Sequence, residues 1–75
     1  MLSDHHKAFL KEVGNNVRRI RSEKGFTMEK LANEAQIEYR QLGRIERGEV
    51  NTTIVSLLKL AGVLDIPLSK FVSSK

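Results

Sequence analysis

Apolar residues recur along most of this chain at the three- and four-residue spacing of an α-helix. In the first segment, between residues 6 and 24, they fall within about 100° of arc on a helical wheel. These positions are Phe9, Leu10, Val13, Val17 and Ile20. Lys24 and Gly25 follow, and a glycine after a basic last turn commonly ends a helix. The pattern predicts an amphipathic first helix that ends before Gly25.

Two short helices are predicted next. Thr27 is a good N-cap residue, and Glu29 would lie in the first turn, where the helix dipole favours a negative charge. The apolar face of this second helix is small and lets another helix approach closely. It comprises Leu31, Ala32 and Ala35. A third helix is predicted to begin at Glu38 or Tyr39 and to end at Glu46.

A fourth predicted helix begins near Thr52 or Thr53 and is apolar around most of its circumference. Its apolar positions are Ile54, Leu57, Leu58, Leu60, Ala61, Val63 and Leu64. Four of them lie within about 80° of Ile54 and are expected to face the core, namely Leu57, Leu58, Ala61 and Leu64. Leu60 and Val63 lie on another side, so this helix needs a second partner.

A second subunit is the partner that we expect for that other side. Pro67 is placed to begin a short fifth helix, which would add to the same surface. The predicted dimer interface comprises Leu60, Val63, Ile66, Leu68 and Phe71. The alternative is that these side chains only cover the core of a single chain.

Length and composition place the five helices in one small all-α domain. The chain has 75 residues, no cysteine and no apolar run near the roughly 20 residues of a membrane span. We expect one domain over residues 1–75, packed between 7 and 72, with frayed ends at 1–5 and 73–75. A cytoplasmic location without a membrane partner is expected. The formal net charge of +4 suits a polyanionic ligand.

The third predicted helix directs its arginines away from the core. On a helical wheel, Leu42 and Ile45 lie on one side, and the opposite side carries a basic stripe. This stripe comprises Arg40, Arg44 and Arg47, with Gly43 among them. Arginine pairs bidentately with guanine and also binds phosphate, so the stripe suits the DNA major groove. The alternative is a solvated face without a ligand.

Together with these arginines, the flanking segments resemble a known family. From Val17 to Phe71 it is similar to the Cro/C1-type (XRE-like) helix-turn-helix regulators of bacteria and phages. The matching elements are Arg21 with "EKGFT", then "EKLANEA", "LGRIERGEVN" and "LLKLAGVLDI". The resemblance implies a compact five-helix bundle of the lambda-repressor-like DNA-binding type. Its helix-turn-helix would span residues 28–46, with the second helix at 28–35 and the third at 39–46.

Two positions depart from the family pattern. Gln36 stands in the turn where the family usually has a glycine with positive φ, which implies about 1 kcal/mol of strain. Met28 stands where a glutamine commonly touches a phosphate, and a thioether cannot make the same contact. The family also pairs a first-helix arginine with the glutamate of "IERG". Here the pair would be Arg21 with Glu46, as a structural ion pair.

The resemblance also implies DNA-contacting positions. Base contacts are assigned to Tyr39, Arg40, Gln41 and Arg44. Phosphate contacts are assigned to Arg18, Thr27, Met28, Gly43, Arg47 and Asn51. Tyr39 could instead pack on the domain edge, Gln41 could reach only the backbone, and Arg18 could be solvated.

The implied function is a transcriptional regulator, such as a repressor, that binds specific double-stranded DNA. It would act as a homodimer on a palindromic operator, with residues 39–46 in the major groove. The segments "HHKAFLKEVGNNVRRIR" and "VNTTIVSLL" favour the controller proteins of restriction–modification systems. RNA polymerase is a further candidate partner, although the sequence shows no surface for it. The alternative is an antitoxin or adaptor that mainly binds protein.

Other chemistry is not indicated. His5 and His6 are adjacent, so they cannot share a helix face, and no third ligand completes a metal site. A Ser-His-Asp set, a glycine-rich phosphate loop and a carboxylate pair in a cleft are all absent from the pattern. We therefore expect neither an enzyme nor a cofactor.

Overall fold

The computed structural model describes residues 3–49 and 52–72. In this part of the chain all regular structure is helical, as predicted. The five helices are α1 (Asp4–Glu23), α2 (Met28–Ala35), α3 (Tyr39–Glu46), α4 (Ile54–Leu64) and α5 (Ser69–Val72). The bounds of α2 and α3 match the predicted helix-turn-helix. The phosphate contact expected of Asn51 lies outside the described residues, as do the ends at 1–2 and 73–75.

Hydroxyl side chains cap the N-terminal ends of three helices. Thr27 Oγ1 accepts a hydrogen bond from the Lys30 N–H at 3.0 Å, and Thr53 does the same for the Ser56 N–H at 3.1 Å. Ser3 accepts from the His6 N–H at 3.2 Å. Each cap satisfies an otherwise unpaired amide and contributes about 0.5–2 kcal/mol. The cap at Ser3 also explains why residues 4 and 5 are helical, so the prediction that they are frayed was wrong.

The turn between α2 and α3 has the backbone that the family pattern implied. Gln36 follows α2 with φ 58° and ψ 44°, in the left-handed region. The Gln36 N–H donates to the carbonyl oxygens of Ala32 and Asn33 in the last turn of α2. The Ile37 N–H also donates to the Ala32 oxygen, at 3.0 Å. This hydrogen-bonded turn keeps α2 and α3 close together, and it forces a residue with a Cβ into a conformation that suits glycine.

The core joins α1 to α3 and α5 on one side and α2 to α3 and α4 on the other. Its fully buried larger side chains are Val17, Leu31, Leu42, Leu60, Leu64 and Phe71. Gly14 of α1 lies directly against the end of α3, because a Cβ there would overlap the carbonyl oxygens of Ile45 and Glu46. α1 is therefore the support on which the C-terminal half of α3 rests.

The orientation of α4 differs from the prediction. The side of α4 that faces the core consists of Leu57, Leu60, Ala61 and Leu64. Ile54 and Leu58, which we expected in the core, are 62% and 52% exposed. Val55, between them, is 60% exposed. A helix that is apolar on nearly every side has no polar face to define its orientation. Its packing against other helices, α2 above all, therefore determines which side is buried.

The predicted dimer interface needs a correction as a result. Leu60 and Phe71 are fully buried in the core of the single chain, so they cannot form a surface for a second subunit. Val63, Ile66 and Leu68 are partly buried and pack against the same core. For these five positions the alternative interpretation, coverage of the core, describes the structure better.

Candidate nucleic-acid interface

Helix α3 and its C-cap residue Arg47 present three arginines to solvent on the side that faces away from the core. Arg40, Arg44 and Arg47 are all exposed, and we call this set the arginine ridge. Behind it, Leu42 and Ile45 are buried. The direction of the arginines is therefore as the apolar pattern predicted.

Tyr39 and Gln41 flank the ridge near the start of α3. Tyr39 is 59% exposed, so most of it is open to a ligand, and the alternative that it packs on the domain edge stays open. Gln41 is half-buried, between the ridge and the core side. Both residues therefore lie at the end of α3 that would lead into a groove.

Gly43 is not part of the exposed ridge, and its expected phosphate contact stays a prediction. It is buried beneath two side chains. A Cβ at this position would lie 3.1 Å from Arg47 Nη1 and 3.4 Å from Met28 Cε. Arg47 lies one helical turn further along, and its side chain folds back over the glycine. The absence of a side chain at Gly43 thus makes room for Met28 and Arg47.

A buried ion pair holds α3 from behind. The Arg21 Nε donates to Glu46 Oε2 at 2.6 Å, and Nη2 donates to Oε1 at 3.2 Å. The side chains are only 13% and 5% exposed. Arg21 Nη1 also donates to the Phe26 carbonyl at 2.9 Å, so one guanidinium joins α1, α3 and the segment before α2. The pair that the resemblance implied is present, and removing one partner from such a pair typically costs about 3–5 kcal/mol.

A second ion pair, which helical periodicity does not predict, lies at the C-terminal end of α3. Arg47 Nε donates to Glu49 Oε2 at 2.7 Å, and Nη2 donates to Oε1 at 3.4 Å. Both side chains are about half exposed, at 59% and 49%. The hydrogen bond from Arg47 lowers the pKa of Glu49 from its ordinary value, and Arg44 and Lys11 act in the same direction. The same hydrogen bond raises the pKa of Arg47.

A polar groove between α1 and α3 extends the basic surface. Its lining comprises Lys11, Asn15, Arg18, Glu46, Arg47 and Glu49. Arg18, which the resemblance assigned to a phosphate contact, is exposed here. Lys11 and Asn15 were missed, although their spacing from Arg18 places all three on one face of α1. The groove brings the basic residues of two helices to one surface.

The start of α2 lies beside this surface. A shallow depression is lined by residues of α1, α2 and α3, namely Arg18, Arg21, Met28, Gly43, Glu46 and Arg47. Met28, the first residue of α2, is half-buried in it, and Thr27 is exposed next to it. Met28 offers only a methyl group and a thioether here, so a polar contact in the depression depends on Arg18 and Arg47.

A separate surface is apolar. A groove of about 500 Å³ lies between α1, α4 and α5. Its lining comprises His6, Phe9, Leu10, Val13, Thr52, Ile54, Leu57 and Val72. Phe9 and Val72 are 48% and 43% exposed at its rim, and Val55 and Leu58 continue the apolar surface along α4. The exposed apolar face of this domain is therefore built by α4 and the first half of α1.

Among the described residues, no group of three or more potential ligands is placed to hold a metal ion. Within residues 3–49 and 52–72, none of the helices has both the length and the apolar character to cross a membrane.

The helix-turn-helix, the buried pair behind it and the exposed arginines define a lambda-repressor-like helix-turn-helix domain. A family model described as "Helix-turn-helix" matches residues 17–71. The chain belongs to the Cro/C1-type (XRE-like) helix-turn-helix family.

Known proteins of this fold are similar over most of the chain. The restriction–modification controller protein C.AhdI from Aeromonas hydrophila superposes with a TM-score of 0.83 at 36% identity, covering 85% of this chain and 97% of that one. The biofilm regulator SinR, solved in complex with DNA, gives a TM-score of 0.77 at 31% identity over 81% of this chain and 98% of that chain.

The regulator SutR from Escherichia coli (strain K12) is 31% identical over 61 residues. These residues are 81% of this chain but only 34% of SutR. The chain therefore spans about a third of SutR and nearly the full length of the solved C.AhdI chain.

Proposed function

We propose that this protein is a transcriptional regulator that binds specific double-stranded DNA through α3. The observation that carries this proposal is the arginine ridge, exposed on the third helix of a helix-turn-helix domain. SinR, with the same fold, has been solved in complex with DNA. In the proposed complex, the amino-terminal half of α3 enters the major groove. A cytoplasmic location on the nucleoid follows from the proposal.

Base contacts are assigned to Arg40 and Arg44, with Tyr39 and Gln41 beside them. The two arginines are exposed at successive turns of α3, and a guanidinium can bind guanine O6 and N7 together. The buried pair of Arg21 and Glu46 holds the helix behind them, which keeps these side chains at a defined distance from the bases. Phosphate contacts are assigned to Arg18, Thr27 and Arg47, which surround the start of α2 and the end of α3.

A homodimer is proposed to read two half-sites of a palindromic operator. The surface proposed for the second copy comprises the exposed apolar residues of α4, namely Ile54, Val55 and Leu58. This surface continues into the groove next to Phe9 and Val72. Protruding side chains and a groove on one apolar surface can fit a second copy in a two-fold arrangement.

A role as a restriction–modification controller is the narrower proposal. It is supported by C.AhdI, which matches this chain at 36% identity over 97% of its own length. The antitoxin or adaptor alternative is not favoured, because the named relatives are transcriptional regulators. RNA polymerase remains a candidate partner for which no surface is assigned.

The proposal predicts a strong salt dependence of DNA binding. If Arg18, Arg47 and the ridge contact phosphates, the logarithm of the association constant falls linearly with the logarithm of salt concentration, by about 0.9 for each neutralised phosphate. Fluorescence anisotropy of a labelled duplex between low and physiological salt measures this slope. A domain that mainly binds protein would show weak DNA binding with a slope near zero, and that result would refute the proposal.

A further inference from the structure

Glu49, the third residue after α3, has a backbone position that is fixed by hydrogen bonds. α3 ends in a turn in which the Gly48 N–H donates to the Ile45 oxygen at 3.0 Å and the Glu49 N–H donates to the Arg44 oxygen at 2.9 Å. This pair of hydrogen bonds is the Schellman arrangement of a helix C-terminus. The position of the Glu49 backbone is thus set by the end of α3.

Contact with α1 also holds this turn. Gly48 has φ 69°, and a Cβ there would lie 2.7 Å from the Cα of Lys11. Only a glycine can therefore occupy this position without moving α1. The turn carries the Glu49 side chain into the groove beside α1, next to the basic residues that are proposed to contact DNA.

The Glu49 carboxylate occupies the donors that Arg47 would use for a phosphate. Its two oxygens receive hydrogen bonds from Nε and Nη2 of Arg47 at 2.7 and 3.4 Å. A DNA phosphate presents two oxygens to a guanidinium in the same way. Arg44 and Lys11 also attract this carboxylate. The Glu49 carboxylate thus pairs with Arg47 on the surface that is proposed to meet the DNA backbone, where Arg18 and Lys11 line the same groove.

We propose that Glu49 acts as an internal substitute for a DNA phosphate, occupying Arg47 in the free protein until a phosphate displaces it. The proposal rests on the function proposed above and adds a residue that lowers the sequence-independent part of DNA affinity. Exposed ion pairs are weak, so displacing Glu49 reduces affinity a few-fold and does not prevent binding. Binding then depends more on the base contacts of Arg40 and Arg44, which unrelated DNA cannot satisfy.

The variant Glu49→Gln tests this proposal because it keeps the size of the side chain and removes its charge. We expect its affinity for any duplex, related or unrelated to the operator, to rise about 2- to 5-fold at low salt, as for the loss of a weak ion pair. The log–log salt slope should become steeper by about one, because Arg47 then neutralises a phosphate without first losing a partner. Anisotropy titrations of one duplex at several salt concentrations measure both quantities.

The second arm separates the proposed mechanism from simple repulsion between Glu49 and DNA. In an Arg47→Ala background, Glu49→Gln should change affinity by less than about 1.5-fold, because the contact that it would free is absent. An equal gain in both backgrounds would overturn the proposal, since Glu49 would then act on the DNA directly. No gain in the wild-type background would overturn it as well.

Glu23→Gln is the matched control. Glu23 is also an exposed partner of an arginine, 3.6 Å from Arg19, and its loss changes the net charge by the same amount. It lies near Ile66 and Lys70 of the other end of the domain, so its loss should leave DNA affinity unchanged. If neither the wild-type protein nor Glu49→Gln binds duplex DNA at low salt, the proposed function itself fails. If the wild-type protein binds and Glu49→Gln matches it, only the role of Glu49 fails.

Discussion

At the scale of single residues, three positions in and around α3 show how local backbone and packing shape the domain. Gly43 lies under the ends of the Met28 and Arg47 side chains, and Gly48 has no side chain because the backbone of α1 lies against it. Gln36 is the opposite case. It carries a side chain at φ 58°, where glycine would cause no strain. The turn of the helix-turn-helix is therefore formed at a cost in stability.

Gln36→Gly is predicted to stabilise the domain by about 0.5–1 kcal/mol. The gain arises because glycine removes the steric clash of the left-handed conformation, and the greater freedom of glycine in the unfolded chain offsets part of it. Urea denaturation followed by circular dichroism measures the change. Gln36→Ala is the control, since it shortens the side chain but keeps the Cβ. If the alanine and glycine variants were equally stable, strain at this position would not be the cause.

At the scale of helices, the sequence predicted more about α1, α2 and α3 than about α4. The first three have polar and apolar faces, so the apolar pattern predicts the outward direction of the arginines of α3. The pairing of Arg21 with Glu46 was implied by the family resemblance instead. In α4 the apolar residues surround the axis, so a modest rotation of the predicted face, which still shares Leu57, Ala61 and Leu64 with the observed one, exchanged Leu58 for Leu60. The packing of α4 against the rest of the core, α2 above all, resolves such a choice.

The Arg47–Glu49 pair shows a second limit of sequence reasoning. The two residues lie on opposite sides of Gly48, outside the regular helix, so helical periodicity gives no relation between their side chains. Their contact depends on the turn that ends α3. The burial of Gly43 was missed for a similar reason, because it depends on Met28 from another helix.

The exposed side of α4 leads to a prediction about assembly. Leu58→Glu should convert the proposed dimer to a monomer without lowering the unfolding free energy of the single chain, because the side chain is 52% exposed. Leu60→Ala should instead lower the unfolding free energy by about 2–5 kcal/mol, because it leaves a cavity in the core. Sedimentation equilibrium measures the oligomeric state, and urea denaturation measures stability. A Leu58→Glu protein that remains dimeric would show that α4 does not form the interface.

At the scale of the whole molecule, the proposed dimer accounts for how so small a domain could select a site. The domain measures 32 × 25 × 19 Å. Its longest dimension is close to the roughly 34–36 Å between successive major grooves on one side of DNA. In the proposed dimer, two copies of this size present α3 to two successive major grooves. This arrangement doubles the number of base contacts that a single arginine ridge makes.

Selection of bound duplexes from a randomised DNA pool tests the central claim most directly, with the wild-type protein and Arg44→Ala compared. We predict that the wild-type protein enriches a palindrome whose half-sites are about one DNA turn apart. Arg44→Ala should lose the preference at one base pair of each half-site, at a cost of about 1–3 kcal/mol. Arg19→Ala, an exposed arginine of α1 outside the ridge, should enrich the wild-type palindrome. Enrichment of the same palindrome by Arg44→Ala, or of no sequence by the wild-type protein, would contradict a role for the arginine ridge in reading DNA.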